Sequence, residues 1–136
     1  GVGAANHTWT WNGSIWSDQG ISPIGDRSFA QMASIGDKAY LFGGEEDANH
    51  IHDDTWMWDG ATWTNLQIAG PPARFQYGMT TYEGKIVLFG GDAPVGAANP
   101  FLGDTWTFDG ATWTQVGNAG AGPGGRYPYT LAPLVF

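Results

Sequence analysis

Two sets of side chains in this sequence have the types and spacing to do chemistry. The first is a series of arginines, Arg27, Arg74 and Arg126, each opening a similar segment. A guanidinium presents a planar fork of N–H donors that fits a carboxylate or a phosphate bidentately. Such a series could hold an anion, or each arginine could pair with a neighbouring carboxylate or carbonyl. The second is the loop Glu45-Glu46-Asp47-Ala48-Asn49-His50-Ile51-His52-Asp53-Asp54, the one local charge cluster. Here His50 and His52 with Asp53 could hold a divalent cation through imidazole and carboxylate groups, although the spacing matches no well-known metal loop. Asp54 recurs as Asp104 and reads as a turn or capping residue. The three histidines assemble no acid–base or nucleophile set, so no catalytic residue is assigned and no cofactor is expected. With no cysteine in the chain, disulfides, zinc–thiolate sites and thiol nucleophiles are excluded.

The elements that must position these groups follow from internal repetition. Asp54-Thr55-Trp56-Met57-Trp58-Asp59-Gly60-Ala61-Thr62-Trp63-Thr64 returns fifty residues later as Asp104-Thr105-Trp106-Thr107-Phe108-Asp109-Gly110-Ala111-Thr112-Trp113-Thr114. A third copy, His7-Thr8-Trp9-Thr10-Trp11-Asn12-Gly13-Ser14-Ile15-Trp16-Ser17, stands forty-seven residues before the middle one, with His7 breaking the aspartate series. Between copies, Tyr40-Leu41-Phe42-Gly43-Gly44 matches Val87-Leu88-Phe89-Gly90-Gly91. Each unit reads as four short strands. In the second unit these are Ser28 to Ile35, Lys38 to Phe42, Thr55 to Trp58 and Ala61 to Leu66. The turn at Asp59-Gly60 reads as a two-residue hairpin. Four strands per unit with a period near fifty residues predict an all-β fold of propeller blades.

All eight tryptophans fall at repeat positions: Trp9, Trp56 and Trp106 form one series, Trp16, Trp63 and Trp113 another, and Trp11 and Trp58 a third completed by Phe108. A sugar- or peptide-stacking site would not require three copies of each, whereas packing between blades does. The Gly43-Gly44 and Gly90-Gly91 pairs are likewise structural, because no helix is predicted to follow them and a phosphate-cradling loop needs one.

The Gly pair after an apolar strand, followed by spaced aromatics and the Asp-Gly-Ala-Thr-Trp-Thr wording, resembles the kelch-repeat family, bacterial kelch proteins in particular. The resemblance covers essentially the whole chain. It implies a kelch-type β-propeller of about three four-stranded blades. Residues 27–68 and 74–116 form two complete blades. Residues 1–20, as third and fourth strands, and residues 126–136, as the first strand or strands, share a blade split between the termini. Three blades are too few for a ring, so the expectation is a homodimer closing six blades; half of a longer single-chain propeller is the alternative. If the first strands line the channel, as the resemblance implies, Arg27, Arg74 and Arg126 ring one mouth of it.

Composition narrows the partners. Five basic residues against a net charge of −8 disfavour nucleic acid and anionic membrane surfaces. The reading is a non-catalytic module for protein or carbohydrate ligands, contacted through the variable loops 1–6, 45–53 and 92–103. Half of a kelch-type enzyme acting on sugars or acidic sugars is the alternative, with Tyr77 and Tyr129 beside the arginines. A copper oxidase of the galactose-oxidase kind needs a Cys–Tyr crosslink, which a Cys-free chain cannot make. A fragment or engineered piece used for self-assembly is the third reading. The composition would suit a periplasmic or secreted setting.

Overall fold

A computed structural model of the chain describes residues 6–118 and 131–132. Its twelve strands fall into three units. The first is a hairpin of β1 (His7–Trp11) and β2 (Trp16–Ile21). The second is a four-stranded antiparallel sheet in the order β3-β4-β7-β8, built from β3 (Gln31–Ile35), β4 (Lys38–Phe42), β7 (Thr55–Trp58) and β8 (Trp63–Asn65). A small side hairpin of β5 (Glu45–Asp47) and β6 (His50–Ile51) projects from it between β4 and β7. The third is another antiparallel sheet, ordered β12-β11-β10-β9, from β9 (Gly78–Tyr82), β10 (Lys85–Asp92), β11 (Phe101–Phe108) and β12 (Trp113–Gly117).

The repeated sequence makes repeated registers. Phe42 pairs with Thr55 and Leu41 with Trp56 in the second unit; Phe89 pairs with Thr105 and Leu88 with Trp106 in the third. Trp58 pairs with Trp63, Phe108 with Trp113 and Trp11 with Trp16. That pairing leaves four residues in each hairpin loop, not the two expected from Asp59-Gly60. The reason is the aspartate side chain: Asp59 Oδ1 accepts the amides of Ala61 and Thr62, and Asp109 Oδ1 those of Ala111 and Thr112. Asn12 does the same for Ser14 and Ile15. The side chain thus closes a wider Asx-type turn, and the following glycine takes the positive φ (98° at Gly60, 99° at Gly110) that the turn needs.

The first strands are shorter than expected. Ser28 makes only an isolated bridge to Glu45, and Phe29 sits at a φ of 57° before β3 begins. The third unit repeats this, with a Phe75–Asp92 bridge and Gln76 at 54°. The segment 92–103, expected to be loop, contributes the ends of two strands, since Asp92 pairs with Phe101 and Gly91 with Leu102.

The core lies between the second and third units. Tyr40 and Phe42 from one face meet Tyr77, Met79, Ile86, Leu88, Phe108 and Trp113 from the other. Phe42 packs edge-on to Tyr77 and Trp113, and Tyr40 edge-on to Phe108, with centroids 5.1–6.0 Å apart. Edge-to-face aromatic packing of this kind adds about 0.5–1.5 kcal/mol per pair beyond burial. Polar links cross the same gap. The Tyr77 hydroxyl donates to the Phe42 carbonyl in a short hydrogen bond and accepts the Gln31 amide at 2.9 Å. Trp113 Nε1 donates to Thr55 Oγ1 at 2.9 Å. The first unit docks on the second by the same device, Trp63 Nε1 donating to Thr8 Oγ1 at 2.8 Å.

Candidate functional site

The arginine series is placed by the close of each second strand. After β4 the backbone turns through Gly43 and Gly44 (φ 56° and 92°) and after Phe89 through Gly90 and Gly91 (71° and 101°). These turns aim the Gly43 and Gly90 carbonyls at an arginine. Arg27 Nη1 donates to Gly43 O at 3.0 Å and to Asp54 Oδ1 at 2.6 Å, while Nη2 donates to Ile24 O at 2.8 Å and Asp54 Oδ2 at 3.2 Å. Arg74 repeats the pattern, with Nη1 to Gly90 O at 2.9 Å and Asp104 Oδ1 at 2.8 Å, and Nη2 to Asp104 Oδ2 at 2.9 Å. The indoles of Trp56 and Trp106 each donate to the second carboxylate oxygen at 2.6 Å. Each cluster is therefore an Arg–Asp–Trp triad capped by a glycine carbonyl.

The electrostatics of the two triads are alike. Burial alone pushes the Asp54 and Asp104 carboxyls up, but the hydrogen bonds from arginine and tryptophan, with the arginine charge, outweigh it and hold both below the usual carboxylate range. Arg74 is wholly buried and its carboxylate nearly so; the Arg27 pair is slightly more open. The four terminal N–H-bearing nitrogens of these two guanidiniums are all engaged within the protein, so an anion would compete with a bidentate carboxylate for them. Arg27 Nε is buried without a partner among the described residues, whereas Arg74 Nε reaches Pro72 O at 3.0 Å. Arg126 and Tyr129 lie outside the described residues. Tyr77, read from sequence as a channel-facing group, is fully buried in the gap between units, and that burial raises its phenol far above the ordinary value.

Of the two readings the sequence left open for the arginines, pairing with a carboxylate and a carbonyl is the one observed for Arg27 and Arg74; which carboxylates serve was not foreseen. Asp54 and Asp104 are not turn or capping residues; they are the carboxylates of the triads. The signal was present in the joint recurrence of Arg27 with Asp54 and Arg74 with Asp104.

The acidic loop became the β5–β6 hairpin. Asp47 Oδ2 pairs with His50 Nδ1 at 2.8 Å in the open. The Asn49 amide and then the His50 ring hold the Asp47 carboxyl down, and Asp47 in turn raises the imidazole. His52 joins the neighbouring backbone instead, its amide donating to Gly44 O and its carbonyl accepting the Arg74 amide. Asp53 is exposed. Among the described residues no group of three or more His, Asp or Glu side chains converges on a point fit for a metal ion.

His7, which replaces the triad aspartate in the first unit, turns to Asp18 across the hairpin, with Nδ1 2.8–2.9 Å from its two oxygens. It lines a cleft of about 220 Å³ between the first two units, with Trp9, Arg27, Met32, Leu41 and Trp63. Asp18 is lowered first by the Gly20 amide and then by this imidazole.

No protein-family model matches the chain, and no curated protein does. Among solved structures, that of YjhT superposes with a TM-score of 0.71 at 16% identity, over 88% of this chain and 48% of that one. At that identity the shared property is the fold, which is propeller-like and all-β with four-stranded antiparallel sheets. This chain spans about half the length of that structure.

Proposed function

We propose that the chain is a non-catalytic kelch-type β-propeller module that binds a protein or carbohydrate partner through its loops, two copies supplying the blades of one six-bladed ring. The observation that carries this reading is where the recurrent polar groups are spent. Arg27, Arg74, Asp54, Asp104, Trp56 and Trp106 all bond one another inside their own units. Thr8, Thr55, Trp63 and Trp113 bond between units. The polar chemistry common to the repeats thus serves the scaffold. What differs from unit to unit lies beyond the Gly pairs: the β5–β6 hairpin in one, the β10–β11 connection over residues 93–100 in the other. Fixed sheets with variable connections on one end are how scaffolds separate stability from recognition.

The test replaces the exposed tip of the β5–β6 hairpin, residues 46–50, by a short Gly-Asn turn and measures denaturant stability and solution mass beside the parent chain. Both are expected to be retained, stability within about 1 kcal/mol, because residues 46–50 are exposed and Glu45, which bridges Ser28, stays in place. Loss of folding would make the hairpin part of the scaffold and refute its assignment as a recognition element.

A further inference from the structure

Among the described residues the contact that joins neighbouring units occurs twice, and the two halves of a third are present there without being mated to each other. In each internal junction an aromatic pair on the third and fourth strands of one unit faces the preceding unit. Its fourth-strand indole donates to a third-strand threonine there. Phe108 and Trp113 fill this role toward Thr55, and Trp58 and Trp63 toward Thr8. The first unit repeats the donor half as Trp11 and Trp16. Their rings are already set as in the mated junction, with centroids 5.4 Å apart and 43° between planes, against 5.4 Å and 46° for Trp58 and Trp63. Yet they are 51% and 63% exposed, where Phe108 and Trp113 are 0% and 7% exposed. The third unit repeats the acceptor half, with Thr105 at the position of Thr8 and Thr55. Among the described residues no indole donates to Thr105, and Trp16 has no acceptor.

We infer that Trp11 and Trp16 of one chain dock on the Val87–Thr105 face of a second copy, with the Trp16 indole donating to the second copy's Thr105 hydroxyl. The inference rests on the six-bladed reading proposed above and names the contact that would close it. Side-chain volumes support a second copy as the occupant. In the mated junction Tyr40 meets Phe108 at 5.1 Å. In the proposed one, Val87 replaces the tyrosine and Trp11 the phenylalanine, so a smaller wall receives a larger ring and the volume of the pair is roughly kept. A large exposed aromatic patch is also uncommon on a monomer. The contact is head-to-tail, and such contacts form a closed ring only when the rotation between copies closes. Two units of half a ring satisfy that condition, and the chain's coverage of 48% of the YjhT structure is consistent with half.

The test is the concentration-dependent mass of the full chain and three variants by sedimentation equilibrium, with circular dichroism as a check on folding. The parent chain is expected to be a dimer. The closed ring contains the contact twice, so a roughly tenfold loss at each copy multiplies; Trp16→Ala should raise the dissociation constant by about 100-fold. Thr105→Val keeps shape and removes only the acceptor, and should raise it about tenfold even if Trp16→Ala fails to fold. Lys38→Ala, exposed at the β3–β4 turn and outside both halves of the contact, should leave it unchanged. A parent dimer indifferent to both Trp16→Ala and Thr105→Val would overturn this contact while leaving the six-bladed reading standing. A parent monomer, or a mass that climbs past two copies, would overturn both.

Discussion

Replacing Asp104 by asparagine isolates the most buried charge pair among the described residues. The Arg74 side chain is 0% exposed and Asp104 12%. Three donors converge on that carboxylate: Arg74 Nη1 and Nη2 at 2.8 and 2.9 Å, and Trp106 Nε1 at 2.6 Å. Asparagine keeps the shape but neutralises the charge and turns one acceptor into an N–H donor, which must then face an arginine or an indole donor. Breaking a buried pair in this way leaves an uncompensated guanidinium and costs about 3–5 kcal/mol. Against a total stability of about 5–15 kcal/mol for an ordinary domain, the urea midpoint should fall by about a fifth or more. Asp59→Asn serves as the control. It sits in an exposed turn whose amides asparagine can also cap, and it should change stability by no more than about 0.5 kcal/mol. The pH arm follows from linkage. The Asp104 carboxyl titrates below its unfolded value in the fold. Its contribution is therefore present above about pH 4 and is lost as pH falls through the lowered folded value. The parent should lose stability on acidification more steeply than Asp104→Asn. A variant within about 1 kcal/mol of the parent at neutral pH, or with the same acid slope, would refute the reading of the triad as a stabilising buried pair.

Three further outcomes are expected. Tyr77→Phe removes the hydroxyl that bridges the Phe42 carbonyl and the Gln31 amide, and should cost about 1–3 kcal/mol in urea unfolding. Gly91→Ala would set a methyl 2.7 Å from Phe75 O and 2.8 Å from Tyr77 Cβ, at a φ of 101°; it should lower stability by at least about 2 kcal/mol. His50 should titrate above 6.5 by NMR because of Asp47 beside it, and Asp47→Asn should bring it back toward that value.

Much of the fold was legible because the sequence repeats. One hairpin recognised at Trp58 and Trp63 predicts the equivalents at Trp11 and Trp16 and at Phe108 and Trp113, and all three form. The Gly pairs also declared themselves. The Cβ of an alanine at Gly43 would come within 2.7 Å of the Arg74 carbonyl, so only glycine lets adjacent units approach there. Other features were hidden for physical reasons. The β5–β6 hairpin carries Glu45, Glu46, Asp47 and Asn49, a composition that argues for loop; its pairing is local and owes little to burial. The left-handed residues Phe29 and Gln76 carry no glycine signal, since their positive φ is imposed by the bridges beside them. The triads were half-visible. Arginine repetition left a ligand site and an internal ion pair both open, because the carboxylate that binds Arg27 or Arg74 lies 27 or 30 positions away and meets it only once β3, β4 and β7, or β9, β10 and β11, are assembled.

The central claim, a propeller module completed by a second copy, is tested most directly by the solution mass of the unmodified chain, measured by light scattering on a size-exclusion column. A mass of two chains, unchanged on tenfold dilution, is the predicted result. A mass of one chain with folded spectra would contradict it and leave the Trp11–Trp16 face without the partner assigned to it.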